Sequence, residues 1–248
     1  EILLPTRYVP ENCVPGDLLN VFLYLDNEER LIATTLTPLV QVGEFACLEV
    51  AWVNEFGAFL NWGLMKDLFV PFREQKMKMQ VGKSYVVHAH IDEESYRIVA
   101  SAKIERYLSK ETPTYQAGAE VDILIWQKTD LGFKAIIDQQ FPGLLYDSEI
   151  FQSLRTGMTL KAFVKQVRPD GKIDLILQKP GAAKVDDFAS SLLDYIKEHG
   201  GAVKLNDKTP ADDIYQIFGV SKKTFKKAVG DLYKKHLIVL TDNGLKLA

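Results

Sequence analysis

Two periods of hydrophobic spacing divide this chain. Up to about residue 180 the apolar positions alternate with polar ones, and beyond that they recur at helical spacing. Residues 44–53 alternate loosely around Phe45, Leu48, Val50 and Trp52, and further apolar runs follow at 56–62 and 64–71. A polar stretch from Arg73 to Gln80 precedes Gly82. Residues 84–91 then alternate strictly, with Tyr85, Val87, Ala89 and Ile91 on one side and Val86, His88 and His90 on the other. A polar turn at Asp92–Ser95 leads to a last run at 96–102. Runs this short with period two predict five strands. Toward the C-terminus, Phe188, Leu192, Leu193, Tyr195 and Ile196 mark a helix that Gly200 and Gly201 end. Thr209 is the expected N-cap of a second helix, with Pro210 at its first position and Gly219 at its end. Ser221 caps a third, whose predicted buried stripe is Phe225, Val229, Leu232 and Tyr233. Residues 237–240 and 245–247 complete a hairpin around Asp242, Asn243 and Gly244.

The strand pattern is repeated. Residues 66–71 resemble residues 1–5, and the same offset carries Gly16 to Gly82. A larger offset carries Gly43 to Gly118, Gly57 to Gly132 and Gly82 to Gly157. Self-similarity at a fixed offset means tandem copies of one folding unit. Five short strands within about 65 residues predict a closed barrel, which leaves no exposed sheet edge, and the five-stranded OB barrel fits best. The later copy closes with the turn Arg168-Pro169-Asp170-Gly171. In the first copy, residues 1–5 correspond to the third strand, 18–25 to the fourth and 30–35 to the fifth. The first two are missing, so this piece cannot bury its own apolar face. The expected division is 1–40 (partial barrel), 41–110 and 111–182 (complete barrels) and 183–248 (three helices and a hairpin). The expected fold class is mainly β with a small α+β domain.

Composition adds limits. The 248 residues are 47% hydrophobic and 25% charged, with a net charge of −3. No apolar run approaches the roughly 20 residues of a membrane helix. Cys13 and Cys47 form neither a metal-ligand spacing nor a disulfide framework, and the expected setting is cytoplasmic. Residues 1–40 hold two basic residues against six acidic ones, whereas 183–248 hold eleven against nine. Nucleic-acid binding needs a basic face rather than a basic total.

The phrase Phe56-Gly57-Ala58-Phe59-Leu60, followed by Asp67-Leu-Phe-Val-Pro71, Val81-Gly82-Lys83, Asp92 and Arg97-Ile-Val-Ala-Ser101, resembles the RNA-binding S1 domain. S1-like repeats followed by a winged helix resemble the bacterial conserved virulence factor B family across essentially the whole chain. That resemblance implies three S1-like domains, RNA binding and a regulatory effect on gene expression.

An OB barrel offers single strands aromatic rings for stacking and cations for the backbone. In the middle copy the candidates are Phe56, Phe59, Lys66 and Arg97, with Asp92 orienting Arg97. A bulge at Gly57 is expected to turn both rings outward, and the resemblance places the stacking platform at these positions. Many S1 domains carry a third-strand histidine where this chain has Val70. In the later copy Leu131 and Lys134 replace the two phenylalanines, leaving Phe133, Lys134, Lys165 and Lys172 as candidates. In the partial copy they are Arg7, Tyr8, Tyr24 and Arg30. His88 and His90 lack a third ligand, and packing between barrels or an accessory RNA contact is the expected role.

Three helices and a hairpin follow the winged-helix order. The third helix carries Lys222, Lys223, Lys226, Lys227, Lys234 and Lys235 but no Arg, Asn or Gln to read base edges. Lysines position phosphates without choosing sequence. Asp186-Asp187 and Asp212-Asp213 are expected as helix N-terminal acids. No glycine-rich phosphate loop or nucleophile elbow is present. The expected function is a cofactor-free, metal-free, non-enzymatic regulator holding single-stranded RNA. The alternative is a DNA-binding transcription regulator acting through the winged helix.

Overall fold

The computed structural model of the chain describes residues 1–26, 28–150, 152–178, 183–241 and 244–248, and the side chains of all of these except 183–187. The architecture is mainly β: a front hairpin, two closed five-stranded barrels, then three helices with a small sheet.

The front hairpin pairs β1 (Phe22–Leu25) with β2 (Leu31–Thr34). Leu3 bridges in parallel to Ile32, and the Ala33 amide donates to the Leu3 carbonyl. This is the third-to-fifth-strand pairing of the complete barrels, reduced to one bridge. One face of the hairpin packs on the middle barrel. Tyr24 and Ile32 lie in one cluster with Val50, Leu60, Trp62 and Leu68 of the middle barrel.

The middle barrel runs β3 (Phe45–Val53), β4 (Gly57–Leu60), β5 (Leu68–Pro71), β6 (Ser84–Ile91) and β7 (Ile98–Ser101), closed in the order β3-β4-β5-β7-β6. The next barrel repeats it with β8 (Glu120–Thr129), β9 (Gly132–Ile137), β10 (Phe141–Tyr146), β11 (Thr159–Val167) and β12 (Ile173–Ile176). The 168–171 turn forms as expected, with the Gly171 amide donating to the Arg168 carbonyl.

The bulge is not at Gly57. It lies in β3 between Val50 and Trp52 and recurs in β8 between Ile125 and Gln127. The extra residues are Ala51 and Trp126. Gly57 serves close approach instead, because a Cβ there would meet the Val70 carbonyl oxygen at 2.2 Å.

The two barrels are fused by a second core. Phe45 and Val86 on the outer face of one meet Leu124, Trp126 and Ile136 on the outer face of the other, with Ile104 and Leu108 from the connecting segment. The Gln139 side-chain amide brackets the Phe45 backbone, accepting from its amide at 2.6 Å and donating to its carbonyl at 3.1 Å. His88 is buried here, 4.6 Å from the Phe45 ring and 4.1 Å from Tyr107. His90 lies 5.0 Å from the same tyrosine. Burial lowers the His88 pKa to about 4. Both sides of the strictly alternating β6 are thus largely buried, one in a barrel core and the other between barrels.

The last unit comprises α1 (Ala183–Glu198), β13 (Ala202–Val203), α2 (Ala211–Phe218), α3 (Lys222–Lys234), β14 (Ile238–Thr241) and β15 (Gly244–Leu247), with sheet order β13-β15-β14. Helix α1 ends as predicted: the Gly201 amide donates to the Ile196 carbonyl, and both glycines have positive φ. Ser221 caps α3 through the Thr224 amide at 3.1 Å. Two expectations fail. Pro210 rather than Thr209 is the N-cap of α2, because the Thr209 hydroxyl turns back to the Asn206 amide. Tyr233 is 50% exposed, and Ala228 takes its place in the buried stripe. The linker residues 179–182, the Asp186 and Asp187 side chains, and Asp242 and Asn243 of the hairpin turn lie outside the described residues.

Candidate nucleic-acid interface

The middle barrel places three rings on adjacent strands of its outer face. In register, Trp52 pairs with Phe59 and Phe59 with Phe69. The Trp52 and Phe59 rings stack 3.7 Å apart at an interplanar angle of 3°, and Phe69 lies 4.9 Å from Phe59. The β3 bulge creates this row. Leu48 and Val50 face the core, and unbroken alternation would send Trp52 there too. The extra residue flips it outward. Its Nε1–H donates to Asp67 Oδ2 at 2.8 Å, which fixes the indole plane. Trp52 stays 45% exposed, so the ring has free surface beside the stack. Phe56, just before β4, is 65% exposed at the same rim.

Phe56 and Phe59 are therefore close, but as rim and row rather than as one paired platform. Trp52 and Phe69 were not singled out from sequence. The signal for Phe69 is its position opposite Phe59 in the hairpin; Trp52 depended on the bulge. Val70 is fully buried, and the outward positions of β5 are Phe69 and Pro71.

These rings line a cleft of about 850 Å³, and residues of the front hairpin also line it. Lys66 and Arg97 lie in it, though neither is free. The Lys66 ammonium donates to the carbonyls of Leu25 at 3.0 Å and Asp26 at 2.7 Å. Partial burial, and then the nearby Arg97 charge, lowers its pKa. The Arg97 guanidinium pairs with Glu29 of the front hairpin turn. Asp92 does not orient it: that carboxylate accepts from Ser95 and pairs with Arg73 at 2.7 Å. The candidates of the partial copy are occupied as well. Tyr8 and Tyr24 are buried, Arg7 lies over the Tyr8 ring, and Arg30 pairs with Asp26 at 2.7 Å.

The later barrel keeps the scaffold and loses the ring row. Register places Gln127 opposite Lys134 and Lys134 opposite Leu144, where the middle barrel has tryptophan and two phenylalanines. Phe133 and Lys134 point to opposite faces. Phe133 packs on the barrel core under Lys128, 4.4 Å away. Lys134 lies 5.0 Å from the Trp126 ring, as does Lys76. Lys165 pairs with Glu149 at 2.7 Å and Lys172 with Asp170 at 2.9 Å. The four residues do not form one surface.

Helix α3 presents a coherent cationic face. Lys223, Lys226, Lys227 and Lys234 are exposed, and Lys222 is half-buried. Positions 223, 227, 230 and 234 share one side at helical spacing. Lys235 pairs with Asp231 at 2.7 Å. Gly230 interrupts the lysine row with open space where a Cβ would stand.

Among the described residues, no three His, Cys, Asp or Glu side chains are grouped to hold a metal, and no helix is long and apolar enough to cross a membrane.

Comparison with known proteins matches both ends of the chain. Residues 1–36 match the S1 domain model and residues 190–247 match the CvfB-like winged helix domain. Bacillus subtilis YitL is 30% identical over 244 residues, covering 94% of this chain and 80% of that protein. Conserved virulence factor B of Staphylococcus aureus is 22% identical over 233 residues, covering 90% of this chain and 77% of that one. A crystal structure described as a multidomain protein with nucleic acid binding domains, from Streptococcus pneumoniae TIGR4, aligns over 100% of this chain and 90% of its own. Its TM-score is 0.41 at 25% identity.

Proposed function

The chain belongs to the conserved virulence factor B family, and from that premise we propose that it holds single-stranded RNA and regulates gene expression in the bacterial cytoplasm. Its domains are of nucleic-acid-binding type. The observation that carries the choice of single strands is the outward row Trp52, Phe59 and Phe69 beside the exposed Phe56. A base in a duplex already has two stacking neighbours, whereas an unpaired base gains roughly 1–3 kcal/mol on such a ring. Helix α3 supplies phosphate contacts without sequence choice. The binder carries out no catalytic step in this reading.

Fluorescence anisotropy with labelled single-stranded RNA, duplex RNA and duplex DNA tests it. Tighter binding to the single strand, weakening as salt rises, is expected. Equal affinity for all three removes the role of the ring row. The lysine face of α3 favours a second reading, a DNA-binding transcription regulator, and preference for a defined duplex selects it. Loss of intact labelled RNA, with or without magnesium, refutes the non-enzymatic reading.

A further inference from the structure

We propose that the connection between β5 and β6, residues 72–83, carries a single strand from the ring row of the middle barrel to the face of the later barrel. In it Phe72 stacks one base, and Lys78 and Lys134 hold phosphates on the two sides of the barrel junction. This rests on the single-strand reading above and extends the site beyond the ring row. The copies differ here in charge. The connection holds four basic residues against one acidic residue in the middle copy. Its counterparts, residues 147–158 and 6–17, each hold one basic residue against two acidic ones. Closing a barrel does not require that reversal.

The connection starts where the ring row ends. The Phe72 amide donates to the carbonyl of the exposed Phe56 at 3.2 Å, and Phe72 is itself 41% exposed. Lys78 Nζ lies 5.9 Å from the centre of the Phe72 ring. Phe72, Lys76, Met77 and Lys78 line a hollow of about 390 Å³ together with Gln75. Gln75 shapes it in advance, because its side-chain amide donates to the Val70 carbonyl and accepts from the Met79 amide, both at 3.0 Å. Beyond the hollow the barrels meet. Lys76 Nζ and Lys134 Nζ each lie 5.0 Å from the centre of the Trp126 ring, so they are no farther apart than twice that distance. Lys76 is paired with Glu105 at 2.6 Å. Lys78 and Lys134 form no ion pair among the described residues, which leaves both ammoniums open to phosphate. Lys134 also stands in the register position that Phe59 holds in the middle barrel. The path therefore leads onto the later barrel's counterpart of the ring row.

The experiment is a salt titration of the full chain, followed by anisotropy, with labelled twelve- and four-nucleotide oligouridylates. The longer one can cover row and connection together, and the shorter one only the row. Lys78→Gln/Lys134→Gln removes two cations without leaving an acid unpaired. It is expected to lower the slope of log K against log salt by about 1.4 with the twelve-mer and to leave the tetramer unchanged. Phe72→Leu keeps apolar bulk and removes the ring. It is expected to weaken the twelve-mer at least about fivefold at constant slope, with Phe72→Tyr close to wild type. A slope change below about 0.7 in the lysine variant overturns the phosphate role, and wild-type affinity in Phe72→Leu overturns the stacking role. Equal losses with both lengths overturn the path between barrels. Where Trp52→Ala still weakens binding in those cases, the single-strand reading stands without this extension. Absence of twelve-mer binding by the wild-type chain overturns both together. Thermal melts check that each variant is folded, and the altered side chains are exposed or half-buried.

Discussion

Replacing Lys223, Lys226, Lys227 and Lys234 with glutamine tests how charge and stacking are divided. These four are the exposed lysines of α3; Lys222 is half-buried, and Lys235, just past the helix, is bridged to Asp231. Each cation that displaces a counterion from a single strand contributes about 0.7 to the slope of log K against log salt. Four such contacts lower the slope by about 2.8. Over a fourfold rise in salt, wild type should therefore lose about 50-fold more affinity than the variant. Glutamine keeps helix propensity close to that of lysine, so the fold is expected to hold. Anisotropy with oligouridylate at four or five salt concentrations gives both slopes directly. A slope change below about 0.7, less than one phosphate contact, refutes the lysine face as a phosphate-binding surface. A loss of affinity that is equal at all salts places the effect in folding or shape, not in charge.

Three further outcomes follow from other parts of the molecule. Trp52→Ala should cost about 1–3 kcal/mol of binding, roughly 5- to 150-fold, with the salt slope unchanged, since it removes stacking and no charge; isothermal titration at two salt concentrations checks it. Gly230→Ala should stabilise the last unit by about 1 kcal/mol, because the position is helical and a Cβ meets nothing within 4 Å; a melt of the full chain followed by helical circular dichroism reads it. His88 is neutral in the fold, with a pKa lowered to about 4 from the usual 6.5. The unfolded chain takes up the proton first, so stability is full above pH 6.5 and is lost as pH falls from 6.5 to 4. His88→Phe should flatten that part of the curve of melting temperature against pH, and an unchanged curve removes His88 from the account.

The barrels were legible because glycine spacing and period two survive in both complete copies, and because Ser221 and Gly201 do locally what their chemistry dictates. That Tyr24 and Ile32 share a core with the neighbouring barrel had no signal in the spacing. What sequence concealed was orientation. One inserted residue at Ala51 reverses the facing of Trp52, and periodicity carries no sign of the insertion. Val86 looked like the open side of a half-buried strand, yet a second barrel covers it, whereas packing between barrels was among the expected roles of His88. Lys66, Lys165 and Lys172 read as free cations, and Arg97 as a partner of Asp92, because their actual partners lie elsewhere in the chain or across a turn. An acid that pairs with a lysine only after folding leaves no trace in spacing.

The bulge shared by β3 and β8 has a consequence for how the two copies diverged. At the inserted position one copy holds a methyl group and the other an indole, Ala51 and Trp126. An inserted residue stands outside the pairing register, so its size can change without disturbing either barrel interior. A duplicated unit could thus acquire a large adhesive side chain at little risk to its fold. The same irregularity that turns a tryptophan to the open surface in one barrel anchors the other barrel to its neighbour, so one shared insertion serves two placements.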